Sequence, residues 1–307
     1  MAEATARLAT RLEVVKLAHE LDLGVDELAF LAGRAADDVR ELRVAVTAAL
    51  HARHQARFAR LAALVGVVPL GVAARAAELA IGPVVSARVA AALGPEDAVR
   101  LAQRVSPGFL AEIALSLDPV RSAEIVRSLD DRLVVEVGRL LLEQGEHLVL
   151  ARFVSVVEAP VALEIVADAS PAALLEVALL ADDRSVLGGL VAALDDDVLV
   201  AVLDHCHGTG GETDALSLVT SLDLAGRTRV VEVLATSGRP DLQVAFLRAV
   251  ENEGAWPEVV PALARCDEGV LDAVRAAARA VGELGPDPAT QDLAARLTER
   301  LAAIPEA

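Results

Sequence analysis

Between Gly94 and Leu141 the polar and apolar positions recur every twelve residues. Four segments open the units: Gly94-Pro95-Glu96-Asp97, Ser106-Pro107-Gly108-Phe109, Asp118-Pro119-Val120-Arg121 and Asp130-Asp131-Arg132-Leu133. Counting from 95, 107, 119 and 131, the fifth residue on is polar in every unit: Arg100, Glu112, Glu124, Glu136. The sixth is aliphatic (Leu101, Ile113, Ile125, Val137), the seventh small in most units (Ala102, Ala114, Val126, Gly138), and the tenth apolar (Val105, Leu117, Leu129, Leu141). Apolar residues at six, seven and ten share one face of a helix. Ser106 and Asp118 are N-cap residues, and a proline in the first turn forfeits no hydrogen bond there. The pattern predicts short helices joined almost without loops. None is long enough to be stable alone, so the array stands only as a stack.

A looser second block starts at Ala159-Pro160, Ser170-Pro171, Asp182-Asp183 and Asp195-Asp196. Helix 133–143 and the segment around Phe153 separate the two blocks. Upstream, Leu12, Val15, Leu17 and Leu21 form a helical stripe; Gly24 breaks it, and Asp26 can cap the next stretch. Asp37-Asp38 then start a helix towards Arg60. Residues 61–93 carry only Arg75, Glu78 and Arg88 as charges, which predicts buried central helices. The stretch from His207 to Asp214 reads as a loop, longer helical pairs follow over 215–285, and Gly285-Pro286-Asp287-Pro288 is a break before a last helix, about 289–302. The expected organisation is an N-terminal helical segment, 1–60, an α-solenoid, 61–285, with short-helix repeats over 94–206, and a capping helix in 286–307.

Composition narrows the functional classes. The 307 residues hold 28 basic and 46 acidic side chains, a net charge of −18, with one lysine, Lys16, and no tyrosine. Residues 1–60 are balanced at nine basic and nine acidic, so the whole −18 belongs to the remainder. Such a surface repels phosphate backbones and anionic headgroups, which excludes nucleic acid and favours basic or cationic partners. The helix–turn–helix outline of residues 12–50 has no net positive charge, and its second helix opens on two acids. The longest uncharged run, 61–74, is shorter than the about 20 residues that span a bilayer. Two distant cysteines, Cys206 and Cys266, imply no disulfide framework and fit a reducing compartment. A cytoplasmic protein without a membrane span is expected.

The units DPVRSAEIVRSL and GPEDAVRLAQRV resemble the short-helix repeats in the cytosolic N-terminal domain of MgtE-type magnesium transporters. The resemblance covers about residues 94–206. It implies an all-α, right-handed superhelix of short hairpins, related to armadillo-like helices of flagellar motor switch proteins, and it suggests divalent-cation sensing. No transmembrane region or paired nucleotide-sensing module accompanies the repeats, so transport is not implied.

Candidate chemistry is sparse. His205, Cys206 and His207, with Glu212 beyond them, are the one local set of metal-ligand types; Asp204 and Asp214 flank them. They converge only if the helix has ended before Gly208. The run Gly208-Thr209-Gly210-Gly211 lacks the Lys-Ser/Thr ending of a phosphate loop. His51, Arg53, His54, Arg57 and Arg60 form a basic helix face, read as solvated. Aspartate pairs at 130–131, 182–183 and 195–197 fall at helix starts and read as caps. Leu61, Leu64, Val65, Val68, Leu70, Leu79, Ile81 and Val84 are the candidate lining of an apolar ligand cavity. No nucleophile–base set or dinucleotide fingerprint is present. The leading expectation is a non-enzymatic interaction scaffold, without a cofactor, whose protein partner meets the concave face. A carrier of an apolar small molecule such as an isoprenoid or other lipid is the alternative, and a module that binds divalent cations such as Mg²⁺ weakly is a third.

Overall fold

The computed structural model describes residues 2–21, 23–65, 67–283 and 288–302, and the side chains of these residues other than 2–6, 8, 50–57, 64, 282–283 and 288–290. The described residues are all helix, turn and coil, with no strand among them. Two compact units divide the chain. The first comprises Ala9–Ala169 and Leu180–Asp182; the second comprises Met1–Leu8, Ser170–Leu179 and Asp183–Ala307.

The first unit contains most of α1 (Ala2–Leu21), a 3-10 helix (Val25–Leu31) and then α2 (Ala36–Val65), which runs straight through residue 60. There follow α3 (Leu70–Ala76), continued by a π turn (Ala77–Ile81), α4 (Pro83–Ala90), α5 (Pro95–Ala102), α6 (Pro107–Ala114), α7 (Pro119–Arg127), α8 (Asp131–Glu143), α9 (His147–Phe153) and α10 (Ala159–Ile165). The caps at Ser106, Asp118 and Asp130 are present, whereas Asp195 starts its helix without a side-chain cap bond and Gly24, not Asp26, stands at the N-cap of the 3-10 helix. The Ser106 hydroxyl accepts from the Phe109 N–H at 3.4 Å, Asp118 Oδ1 from Arg121 N–H at 3.1 Å, and Asp130 Oδ1 from Arg132 N–H at 3.0 Å. All four residues at the fifth position are exposed, and the seventh position buries Ala102, Ala114 and Gly138.

Packing reveals a longer repeat beneath the twelve-residue one. Helices stack on the next but one along two rows: α2, α4, α6, α8 and α10 form one row, α3, α5 and α7 the other, while α9 packs on α8. The buried positions alternate accordingly. In α5 and α7 the small residues Ala98 and Ser122 are buried at the third position; in α6 and α8 burial moves to Ala111 and Val135 at the fourth. The structural unit is therefore a hairpin of two helices. The buried Ser122 hydroxyl is satisfied inside its own helix by the Asp118 carbonyl. Between rows, the Glu78 carboxylate in the π turn accepts from the Ser106 N–H at 2.6 Å, a bond that holds its carboxyl below the usual range. Within the even row, the Arg88 guanidinium lies 5.7 Å from the centre of the Phe58 ring, joining α4 to α2.

Residues 61–93 depart from the expectation of burial. The inner stripe is small, with Ala74, Ala77 and Ala87 buried, but Val67, Val72, Leu79 and Val84 face outward. For Val72 and Leu79 the cause is position: α3, continued by the π turn, packs on α5 and stands first in its row.

The N-terminal helix also differs from its predicted stripe. Its buried face carries Val14, Leu17 and Ala18, but also Glu13 and Lys16. Lys16, 4% exposed, donates to Asp182 Oδ1 at 2.8 Å and lies 3.4 Å from Glu13 Oε1. Arg43 bridges the same two acids, at 3.1 Å to Glu13 Oε2 and 3.0 Å to Asp182 Oδ1, and Arg40 reaches Glu13 at 3.3 Å. Arg152 pairs with Glu20 at 2.8 Å nearby. Burial pushes the Asp182 carboxyl up, but Lys16, then Arg43 and Arg152, overcome it and hold it below the usual range. Of the aspartate pair at 182–183, only Asp183 is a cap, accepting from the Ser185 N–H at 3.0 Å; Asp182 is an ion-cluster partner.

The second unit takes in part of α11 (Pro171–Leu180), then a 3-10 turn (Arg184–Val186), α12 (Leu187–Ala193), α13 (Asp196–Thr209), α14 (Glu212–Ser221), α15 (Leu224–Thr236), α16 (Pro240–Glu253), α17 (Trp256–Leu263), α18 (Glu268–Glu283) and α19 (Pro288–Ala302). The break expected at 285–288 falls, up to residue 287, outside the described residues. Helices α12 and α15 meet through Gly188 and Gly226, where a Cβ on Gly226 would lie 3.0 Å from the Gly188 Cα. Leu247, Trp256, Leu263, Leu271, Val281 and Leu297 anchor the largest core, and the Trp256 indole N–H donates to Glu251 at 2.7 Å.

Three outcomes follow for stability. In α8 a Gly-to-Ala change would ordinarily stabilise by about 1 kcal/mol, but a Cβ at Gly138 would lie 2.6 Å from Ile165 Cδ1 of α10. Gly138→Ala should cost about 1–3 kcal/mol in urea unfolding, while Gly108→Ala, where the Cβ meets nothing within 4 Å, should not destabilise. Lys16→Met, which removes one cation and leaves Glu13 and Asp182 to Arg43 and Arg40, should cost about 1–3 kcal/mol, and adding Asp182→Asn should cost less than the two single changes summed. Because Asp182 is depressed in the folded state, its stabilisation is complete above the unfolded carboxyl value of about 3.9. It is lost as pH falls through the lower folded value, and Asp182→Asn should flatten that acid limb of the unfolding curve.

Candidate functional site

The aliphatic candidates sit on the first unit, and the structure places most of them outside the core. Leu61, Val68, Ile81 and Val84 are exposed, and Leu79 is 75% exposed. Val65 and Leu70 are half-buried, and the Leu64 side chain lies outside the described residues. An interior cavity lined by this set is not what the fold builds. Leu79 and Ile81, on the π turn that continues α3, are outward surface at the start of their row.

That surface is extensive. Among the described residues the exposed large hydrophobics run from Leu23 to Val84, with Val120 as the one outlier. They include Phe30 on the 3-10 helix, Leu42 and Val44 on α2, and Val67, 82% exposed, before α3. On α3 and its π turn, Val72, Arg75 and Leu79 follow at helical spacing and face outward, opposite the buried Ala74 and Ala77. Exposed aliphatic residues that adjoin on one helix face, as Val72 and Leu79 do, mark surfaces that bind a partner more often than scattered ones.

The metal-ligand candidates lie on the second unit and do not converge. The expected loop is shorter than the pattern implied: α13 continues through His205, Cys206, His207 and Gly208 to Thr209. Gly210, at φ 68°, takes the left-handed turn, and the Gly211 N–H closes it onto the Cys206 carbonyl at 2.7 Å. Three consecutive helical residues point about 100° apart. Cys206 is fully buried, His205 is half-exposed, and His207 Nδ1 meets Glu212 Oε1 at 2.8 Å. Among the described residues no three His, Cys, Asp or Glu side chains gather as a metal site. Burial pushes the Cys206 thiol up to about 11, helped by Glu212 and Asp214, and the Cys266 thiol likewise to about 11.

The basic face at 51–60 falls largely outside the described side chains; of its members Arg60 is seen, and it is exposed. An open groove of about 520 Å³ on the second unit runs beside Trp256, Val260, Pro261 and Arg300. Its acid, Glu251, already holds the Trp256 N–H and Arg296, at 3.1 Å. No helix among the described residues is long and apolar enough to cross a membrane. No protein-family model, curated protein or solved structure matches this chain.

The buried-thiol geometry is directly checkable. Native protein at mildly alkaline pH should resist iodoacetamide at both cysteines, and both should alkylate once urea unfolds it. Rapid native labelling of Cys206, read by peptide mass spectrometry, would contradict its placement.

Proposed function

We propose that this chain is a non-enzymatic helical-repeat protein that binds another polypeptide through the exposed aliphatic surface around α3. One observation carries this reading: Val67, Val72 and Leu79, before and along α3 and its π turn, face solvent while the same segment buries Ala74 and Ala77. Two features of the chain support it. The repeats build a stack with little loop in which to assemble catalytic groups. The stretch 61–93 is also nearly neutral in a chain of net charge −18, so apolar docking there meets little charge desolvation.

The test is capture with tagged wild-type protein and with a Val72→Asp/Leu79→Asp variant, compared quantitatively by mass spectrometry. At least one polypeptide, an untagged copy of the chain included, should be retained by the wild type and lost by the variant, and should survive high salt because the contact is apolar. Identical retained sets would overturn the reading.

A further inference from the structure

We propose that the occupant of the α3 surface is an acidic amphipathic segment of another polypeptide, one that presents carboxylates beside aliphatic side chains. The proposal rests on the interaction reading above and names the chemistry of its partner.

Two features with no need to coincide fall on the same part of the chain. The first is charge. The 307 residues hold 46 acids, yet none occurs from residue 42 to residue 77, a run of 36. The next longest acid-free run, 17 residues, adjoins it at 79–95. Residues 42–95 therefore hold six arginines, two histidines and a single acid, a net charge of +5, and the remainder carries −23. The second feature is exposed aliphatic surface. Among the described residues, nine of the 13 exposed large hydrophobics lie in these same residues.

The elements concerned adjoin, since α2 packs on α4 and α4 on the π turn that continues α3. On the outward face of α3 and its turn, Arg75 stands between Val72 and Leu79, and Arg60 and Leu61 are exposed near the end of α2. The single acid, Glu78, accepts from the Ser106 N–H. A guanidinium set among aliphatic side chains can lay its stem along them and take a carboxylate through two parallel N–H bonds. An acidic segment is repelled by the rest of the chain and attracted here, so charge gives it one place to dock. An anionic bilayer would also face repulsion from the −23 remainder, which favours a narrow polypeptide segment over an extended surface.

Fluorescence anisotropy on the full-length chain tests this, using a labelled amphipathic helical peptide with leucine on one face and glutamate on the other. The probe should bind at micromolar concentration, and the same peptide with glutamine for glutamate should bind roughly tenfold more weakly. Arg75→Glu should weaken the glutamate peptide by a similar factor and leave the glutamine peptide unchanged, whereas Leu79→Asp should weaken both. Arg265→Glu, the same charge change at an exposed site on the second unit, should alter neither. Circular dichroism should show each variant still helical, since all three side chains are exposed.

No binding, equal binding of the two peptides, or a glutamate peptide indifferent to Arg75→Glu would overturn the proposal. Phosphatidylcholine–phosphatidylserine vesicles that bind the wild type and not Leu79→Asp would overturn it in favour of a membrane. A dimer in light scattering that Leu79→Asp dissolves would overturn it in favour of a second copy. In each case the wider reading survives if capture still returns a polypeptide that the Val72→Asp/Leu79→Asp variant loses. If capture loses nothing, both fall.

Discussion

Every helix of the repeat array is too short to hold itself together, and this constraint organises the first unit. A helix of eight or nine residues gains too few internal hydrogen bonds to offset its nucleation cost. It survives by burying a stripe against the helix two places on. Close approach is what makes that stripe sufficient, hence the small buried residues Ala98, Ala102, Ala111, Ala114, Ser122 and Gly138. Side-chain caps do the rest, because Ser106, Asp118 and Asp130 each start a helix where the previous one has barely ended.

The ion cluster does a different job. Apolar stripes are interchangeable in principle, and many registers of Ala, Leu and Val bury similar area. Glu13, Lys16, Arg43 and Asp182 are not interchangeable, since a mismatched register would strand a charge away from water. By joining α1 and α2 to a segment 166 residues further along, the cluster sets which distant part of the chain meets the N-terminal helices. The same selectivity explains how a buried face can include Glu13 and Lys16 without violating the rule that charges stay wet.

The legible and illegible parts of the sequence divide along the range of the interactions. The caps at Ser106, Asp118 and Asp130, the starts of their helices and the polar fifth position are local, and they appear as read. The alternation of the third position, Ala98, Leu110, Ser122, Val134, is also in plain sight and points to the two-row packing; the twelve-residue period hides it by treating all four units as equal. Asp182 resembles any other acid at a helix start, because its partners lie 139 and 166 residues away. The exposure of residues 67–84 is equally hidden: an aliphatic helix is buried only if a neighbour follows it in the row, and composition says nothing of neighbours. The set His205, Cys206 and His207 fails as a ligand cluster for a local reason. Helix α13 carries all three on to Thr209 before the turn at Gly210, and the glycine run 208–211 disguises that last helical turn as loop.

The two-row packing has a consequence for how such a chain can change in length. A hairpin of two helices can be added or removed as a pair, and every later helix keeps its row, its neighbour and its buried face. Loss of one twelve-residue helix would move each later helix into the opposite row, where the buried residue at its third or fourth position faces the wrong partner. Length in this array is therefore quantised in hairpins, although the sequence is punctuated in single helices.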